Sequence, residues 1–220
     1  MTSRISFPTW LTLFRILLLP VMVLVYYSHA VVEAIPLRLS NLGAALIFIL
    51  AAFTDWLDGY LARRWNQTSD FGAFLDPVAD KLMVAVTLFL LVQSHPTELL
   101  AITAAIIVGR EIGISALREW MAEMGQRTKV SVAMLGKVKT AMQSVAIVVL
   151  LLEHDKEAEL LRYWRVGEAL LVIAAILTIW SGLVYLKAAW PTLNNGGHSS
   201  SRTHADTEAE PVRQNGTDQA

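Results

Sequence analysis

Apolar residues fall in six blocks along the chain, each long enough to cross a membrane and each separated from the next by a short polar break. About 20 apolar residues in a helix span the hydrocarbon core of a bilayer, and each block is apolar on all its faces rather than along one stripe. The pattern predicts an all-α, polytopic membrane protein with six transmembrane helices. We place them at residues 10–28, 41–63, 71–93, 99–120, 130–152 and 166–190, with ends accurate to about 2–4 residues.

The breaks between the blocks leave no room for a separate soluble domain, so residues 1–193 are interpreted as one membrane domain. Residues 1–8 either lie flat along the membrane interface or form a frayed terminus, and we recognise no cleavable leader before the first block. Residues 194–220 are rich in Gly, Ser, Thr, Asn and charged side chains, which predicts a disordered polar tail.

The basic residues indicate which side of the membrane is cytoplasmic. Many of them fall on the side that would also hold both termini: Arg4, Arg63, Arg64, Arg118, Arg127, Lys129, Lys137 and Lys139. Cytoplasmic segments carry an excess of Lys and Arg, so we expect both termini to be cytoplasmic. Arg38 and the segment 156–165 place some positive charge on the opposite side.

Composition excludes several kinds of chemistry. The chain contains no cysteine, so it has no disulfide, no catalytic thiolate and no cysteine-bound zinc. The formal net charge of −1 carries no information about partners, and we expect no nucleic-acid partner.

Four aspartates lie at or near membrane depth in the second and third predicted spans: Asp55, Asp58, Asp76 and Asp80. An ionised Asp near the bilayer centre costs at least about 2.5–3.5 kcal/mol, so such residues normally face a polar cavity and have a partner. Their spacing places Asp55 and Asp58 on one helix stripe, and Asp76 and Asp80 one turn apart on another. The two stripes can face each other near the cytoplasmic end.

Nearby Arg63 and Lys81 neutralise only part of this negative charge. A divalent cation resolves the repulsion best. Oxygen ligands from carboxylates favour hard ions such as Mg²⁺, Mn²⁺ or Ca²⁺ over zinc. Four carboxylates suffice for two ions, an arrangement that usually acts on phosphoryl groups.

Small residues share these stripes with the aspartates: Gly59 and Ala62 on the first, Gly72 on the second. They could be ordinary small-residue contacts between membrane helices. Their register with the aspartates favours a ligand that lies close to the backbone.

The complete spacing resembles the signature DxxDGxxAR, G, D, D of the CDP-alcohol phosphotransferases. Every position is filled, by Asp55, Asp58, Gly59, Ala62, Arg63, Gly72, Asp76 and Asp80. Similarity extends over residues 5–190 and is strongest in PTWLTLFR at 8–15, the segment 54–81, REIGISALREWMAE at 110–123 and GKVKT at 136–140. Within the family it points to the bacterial members that use glycerol 3-phosphate as the acceptor.

The resemblance implies a six-helix fold, usually a homodimer, in a bacterial cytoplasmic membrane, with a polar cavity open to the cytoplasm. It implies transfer of the phosphatidyl group of CDP-diacylglycerol to a small alcohol, with release of CMP. The four aspartates would hold two Mg²⁺ or Mn²⁺ ions, and Asp80 would also be the general base. CDP-diacylglycerol would contact Gly59, Ala62, Arg63 and Gly72, and the first helix would line the nucleotide side with Thr9, Thr12 and Arg15.

An acceptor that carries a phosphate needs several cations close to the aspartates. Our candidates are Arg110, Arg118, Lys137 and Lys139, of which Arg110 is the strongest because it lies inside an apolar span. The two lysines could instead be topological anchors at the membrane surface.

Other functions remain open at this point. The signature concerns the CDP half of the reaction, so the acceptor could also be an inositol phosphate, serine or phosphatidylglycerol. A cation or proton transporter also places carboxylates in the membrane, although transporters commonly show paired repeats. A structural, inactive family member is a third alternative, which the intact signature disfavours.

Overall fold

The computed structural model describes residues 7–65, 70–123, 133–152 and 160–195. These residues form seven helices and no strand. The helices are α1 (Phe7–Tyr26), α2 (Ser28–Val31), α3 (Leu37–Trp65), α4 (Asp70–Ser94), α5 (Glu98–Glu123), α6 (Ala133–Leu152) and α7 (Leu160–Asn195). The all-α prediction is therefore confirmed for the described part of the chain.

Each of the six long helices coincides with one predicted apolar block. The short α2 has no counterpart in the prediction, and α7 begins at Leu160, ahead of the predicted start at residue 166. Residues 1–6 and 196–220 lie outside the described ranges. They include most of the predicted interfacial segment and nearly all of the predicted tail, so both of these remain predictions.

Four of the described helices are long and apolar enough to cross a membrane: the stretches Thr9–Tyr26, Leu37–Leu61, Glu98–Ala122 and Trp164–Lys187. Helix α4 contains Asp76, Asp80 and Lys81 in its first half, which lowers its apolar character. In α6 the described apolar stretch Lys139–Leu152 is shorter than a crossing requires.

The outer surface of the bundle is apolar, as expected for helices in contact with lipid. Leu24 is 72% exposed, Leu17 62% and Ile176 60%. A soluble protein rarely exposes so many large apolar side chains on its helices. With four long apolar helices, this surface identifies a multi-pass membrane protein.

The helices pack in a ring in the order α1, α3, α6, α7, α5, α4 and back to α1, and α4 also touches α6. Helix α1 packs extensively against both α3 and α4, whereas α3 and α4 touch each other little. One buried cluster, with Met22, Phe48, Leu88, Ile107 and Ile147 among its members, fills the interior. As a result, α1 lies between the two helices that carry the aspartates.

The end of α1 opposite to the aspartates is fixed by polar contacts. The Tyr26 hydroxyl donates to Ser94 Oγ at the end of α4, at 2.7 Å. Ser28 begins α2, two residues after the end of α1, and its Oγ lies 2.8 Å from Ser40 Oγ in α3. These contacts set the position of α1 relative to both neighbours.

Candidate active site

The four aspartates of the signature converge on α1. Asp55 and Asp58 come from α3, and Asp76 and Asp80 from α4. The sequence predicts that the two acidic stripes face each other. In the structure they do so with side chains of α1 between them.

Arg15 is the centre of this cluster. It is 2% exposed, and one of its terminal nitrogens, Nη1, lies 2.9 Å from Asp55 Oδ1 and also pairs with Asp80 Oδ1. Its other terminal nitrogen, Nη2, pairs with Asp58 Oδ2. One guanidinium therefore joins carboxylates from two helices, which accounts for an arginine inside an otherwise apolar span.

Thr12 lies one turn before Arg15 and is also buried. Its hydroxyl donates a hydrogen bond to Asp76 Oδ1. Asp76 is close enough to Asp58 for the two negative charges to interact. All four aspartates therefore belong to one cluster.

The cluster is closed on one side and open on the other. The Asp58 side chain is 5% exposed, whereas those of Asp55 and Asp80 are 45% and 47% exposed. Carboxylate oxygens of the two exposed residues can therefore reach a ligand.

The donor set fits a hard divalent ion in its chemistry, because it consists of carboxylate oxygens and three negative charges remain after Arg15 offsets one. Within the described ranges, however, no three His, Cys, Asp or Glu side chains are grouped so that they could hold a metal ion as they stand. The carboxylates are instead arranged around the guanidinium.

The small residues of the signature lie on the same helices. Gly59 follows Asp58 in α3, and Gly72 is buried in α4 one turn before Asp76. Ala62 and Arg63 are in α3, but their side chains lie outside what the structure describes. Thr9 of α1 is 2% exposed.

Arg110, the strongest acceptor candidate, lies in α5 and is held from α7. Its Nη2 donates to Ser181 Oγ at 2.5 Å, and Ser181 Oγ donates in turn to the Thr178 carbonyl oxygen at 3.0 Å. A Cβ placed on Gly182 would lie 3.4 Å from Arg110 Nε. Gly182 therefore leaves room for the arginine side chain.

The other acceptor candidates lie nearby. Lys139 of α6 is 5% exposed and its Nζ is 3.5 Å from Glu111 Oε1 in α5. Arg118 Cζ lies over the ring of Tyr185, 5.6 Å from the ring centroid. The charges of Arg110, Arg118 and Lys139 are close enough to interact with one another. The Lys137 side chain is outside the described residues.

A largely apolar cavity of about 220 Å³ lies between α4 and α5. Lys81 and Glu111 line it, together with Val78, Leu82, Ala85, Val108 and Ile112. Lys81 directly follows Asp80, and Glu111 directly follows Arg110. The aspartate cluster is therefore at the same level of the bundle as Arg110, Arg118 and Lys139, which we call the basic cluster.

Sequence reasoning missed several of these contacts. It assigned Arg15 and Thr12 to the nucleotide side and gave neither a link to the aspartates. Ser181 and Gly182 carry no signal in the sequence, since both are ordinary residues of an apolar membrane helix. An arginine within the first apolar block was the one signal that could have indicated an acidic partner.

Comparisons of the sequence with known proteins identify its family. A family model described as CDP-alcohol phosphatidyltransferase matches residues 5–180. The chain is similar to the CDP-diacylglycerol–glycerol-3-phosphate 3-phosphatidyltransferase of Yersinia pestis strain Pestoides F, with 49% identity over 86% of this chain and 98% of that protein. The proteins of the same name from Sodalis glossinidius and Shigella flexneri serotype 5b are each 50% identical, over 84% of this chain and 96% of theirs.

Proposed function

Because the chain belongs to the CDP-alcohol phosphatidyltransferase family, we propose that it transfers the phosphatidyl group of CDP-diacylglycerol to glycerol 3-phosphate. The products are phosphatidylglycerophosphate and CMP, and the reaction is a step in the synthesis of anionic phospholipids. It takes place in the cytoplasmic membrane of a bacterium.

The observation that carries this proposal is the cluster of four aspartates at the contact of α1, α3 and α4. All four aspartates of the signature meet there, although they come from two helices that touch each other little. The family uses a divalent metal in general. Asp55, Asp58, Asp76 and Asp80 would hold Mg²⁺ or Mn²⁺, two ions in our proposal, which when bound supply positive charge against the diphosphate oxygens.

CDP-diacylglycerol binds with its nucleotide along the small residues of the signature. Gly59 and Gly72 allow the ligand to approach the backbone of α3 and α4, with Ala62 and Arg63 further along α3. Thr12 contributes to this side of the site through Asp76, to which its hydroxyl donates.

Asp80 acts as the general base. Its side chain is nearly half exposed, and because a carboxylate has about four lone-pair positions, its pairing with Arg15 leaves acceptor capacity. Asp80 accepts the proton of the acceptor hydroxyl while the hydroxyl oxygen bonds to the phosphorus that carries diacylglycerol. The bond from that phosphorus to the CMP oxygen breaks, and CMP leaves with the electron pair.

The phosphate of glycerol 3-phosphate binds to the basic cluster of Arg110, Arg118 and Lys139, and Lys137 adds a further cation. Arginine can bind two phosphate oxygens at once, and lysine adds a point charge. Because the basic cluster is at the same level of the bundle as Asp80, the glycerol hydroxyl can face the base while the basic side chains hold the phosphate.

In the membrane, the six long helices all cross the bilayer, and the aspartate cluster opens to the cytoplasm where both termini lie. The protein is a homodimer. These features follow from the charge distribution along the sequence and from the family resemblance.

The test is phosphatidyl transfer by purified protein in detergent with CDP-diacylglycerol and Mg²⁺. Glycerol 3-phosphate, serine, an inositol phosphate and phosphatidylglycerol are offered separately, and CMP release is measured. We expect CMP release with glycerol 3-phosphate alone. Asp80→Asn keeps the shape of the side chain but removes the base, and should lower turnover by at least about 100-fold.

Turnover with a different acceptor would reassign the substrate within the family. No turnover with any of the four, in protein with a cooperative thermal transition, would contradict the enzymatic function and favour a transporter or a structural role. Turnover by Asp80→Asn at the wild-type rate would remove Asp80 from the role of base.

A further inference from the structure

Two side chains of α1 contact all four aspartates of the signature, although the signature itself includes no residue of α1. Arg15 pairs with Asp55, Asp58 and Asp80, and Thr12 donates to Asp76. Thr12 and Arg15 are three positions apart on one helix and therefore share a face. We call this pair the α1 clamp.

The hydrogen bond made by the Thr12 hydroxyl differs from those of two other buried threonines, Thr54 and Thr87. A threonine in a membrane helix commonly donates to the carbonyl oxygen four residues earlier. Thr54 does this with Leu50 and Thr87 with Met83, each at 2.7 Å. The Thr12 hydroxyl instead donates to a carboxylate on another helix, which orients that carboxylate.

The contacts of Arg15 need the shape of a guanidinium. Its two terminal nitrogens reach three carboxylates, and a lysine ammonium would present a single point charge in their place. The Nε atom of Arg15 is buried with no hydrogen-bond partner in the described residues. The Arg15 side chain therefore lies where its terminal nitrogens contact the carboxylates, even though its Nε makes no hydrogen bond there.

We propose that Thr12 and Arg15 are positioning residues: Arg15 keeps the carboxylates of α3 and α4 together, and Thr12 orients Asp76. This inference rests on the proposed function only in that the four aspartates are taken as the reacting centre. Arg15 offsets one of four negative charges that would otherwise repel one another. Because it contacts the same oxygens that would receive a divalent ion, such an ion takes over part of its stabilising role.

The first experiment compares Thr12→Val, which keeps the shape but removes the hydroxyl, with Thr12→Ser, which keeps the hydroxyl. Thr87→Val is the matched control, because Thr87 is an equally buried threonine that donates to its own helix. Mn²⁺ binding to the purified protein is measured by electron paramagnetic resonance, and kcat and KM are measured in parallel. Losing an orienting hydrogen bond to a ligating side chain typically weakens metal binding or activity by about 10–100-fold.

We expect Thr12→Val to weaken Mn²⁺ binding and lower kcat by about tenfold, with KM for glycerol 3-phosphate and the melting temperature unchanged. Thr12→Ser should restore both quantities. If Thr12→Val binds Mn²⁺ as the wild type and Thr87→Val do, the inference is wrong for Thr12.

The second experiment measures melting temperature in EDTA and in Mn²⁺ for Arg15→Gln and Arg15→Lys. In EDTA we expect Arg15→Gln to melt well below the wild type, because the carboxylates repel one another. Mn²⁺ should raise its melting temperature more than it raises that of the wild type, and Arg15→Lys should be intermediate. If Mn²⁺ raises all three by the same amount, Arg15 has only a general packing role and the inference is overturned.

Failure of the inference can be distinguished from failure of the proposed function. Wild-type protein that is inactive with every acceptor, while Thr12→Val weakens Mn²⁺ binding, would contradict the function and support the clamp. Wild-type protein that is active, with Thr12→Val equal to Thr87→Val, would contradict the clamp alone. If Arg15→Gln does not fold in EDTA and folds in Mn²⁺, the clamp is supported.

Discussion

Arg110 shows how a neighbouring helix fixes the position of a cation inside an apolar helix. Its contacts come from α7, where Ser181 accepts a hydrogen bond at 2.5 Å and Gly182 leaves space beside Nε. The Nε atom itself is buried without a hydrogen-bond partner among the described residues. One donor group of Arg110 is therefore fixed by Ser181, and under the proposed function its remaining terminal donors bind the phosphate of the acceptor.

This geometry predicts the effect of Ser181→Ala on acceptor binding. A hydrogen bond to a charged group contributes about 1.5 kcal/mol or more, so KM for glycerol 3-phosphate should rise by roughly tenfold. KM for CDP-diacylglycerol should not change, because the contact lies in the basic cluster. Steady-state kinetics with each substrate varied in turn measure both values.

Two further variants separate positioning of Arg110 from general destabilisation. Gly182→Ala introduces a Cβ about 3.4 Å from Arg110 Nε and should raise the same KM by a smaller factor. Ser144→Ala on α6 is the control and should leave both KM values unchanged. Equal effects of Ser181→Ala on the two substrates would contradict a role specific to the acceptor.

At the residue level, the aspartates could be predicted as site residues for two reasons. A charged side chain at membrane depth is costly unless it has a partner or faces a polar cavity, and the spacing of the four aspartates matched a family signature. The partners of the aspartates could not be predicted in the same way. Arg15 reaches Asp80 across 65 positions of the chain, and helical periodicity says which residues share a face but not which face another helix covers. Ser181 looks like any small polar residue until α7 is placed beside α5.

Close approach between helices depends on glycine at two positions. A Cβ on Gly43 in α3 would lie 2.6 Å from Val25 Cγ1 in α1, and a Cβ on Gly167 in α7 would lie 2.9 Å from Leu150 side-chain atoms in α6. Both distances are shorter than carbon atoms tolerate. These glycines therefore set the spacing of the helix pairs α1–α3 and α6–α7.

We predict that Gly43→Ala destabilises the protein by about 1–3 kcal/mol, the usual cost of overpacking. The change should also lower activity, because α1 carries Arg15 and Thr12 to the aspartates. Gly113→Ala is the matched control, since a Cβ there has nothing within 4 Å. Thermal unfolding in detergent measures the difference, and equal melting temperatures for the two variants would show that α1 and α3 can move apart freely.

The number and approximate position of the long helices followed from the apolar blocks alone, because a long apolar stretch in lipid can satisfy its backbone hydrogen-bonding groups only as a helix. The neighbours of each helix did not follow. Consecutive helices α3 and α4 were expected to form the acidic pair directly, yet α1 packs between them. Hydropathy indicates that a helix faces lipid, but it does not predict the order in which the helices pack around the ring.

At the scale of the whole molecule, the crossing of α4 is the main question about topology. Its 25 residues would extend about 37 Å, enough to cross a bilayer. Its charged residues, however, make it less apolar than the four helices that are clearly able to cross. Those charges lie in its first half, and Asp76 and Asp80 have partners on α1. A carboxylate that is paired and faces the protein interior is compatible with a membrane-spanning helix.

The chain has no cysteine, so single introduced cysteines can report which side of the membrane each loop occupies. We predict that Glu33→Cys, before α3, and Glu98→Cys, at the start of α5, react with a membrane-impermeant maleimide in intact spheroplasts. Arg64→Cys, at the end of α3, should react only after permeabilisation. All three residues are exposed, so differences in labelling reflect the side of the membrane rather than burial.

The result at Glu98 decides whether α4 crosses the bilayer. If α4 crosses, the short connection from α4 to α5 is on the same side as Glu33, and the aspartates near the start of α4 lie toward the cytoplasm with Arg64. If Glu98→Cys reacts only after permeabilisation while Glu33→Cys reacts in intact spheroplasts, α4 returns to the side from which it entered, and the six-span arrangement is wrong. Phosphatidyl transfer by each cysteine variant is the control that the labelled protein retains its native fold.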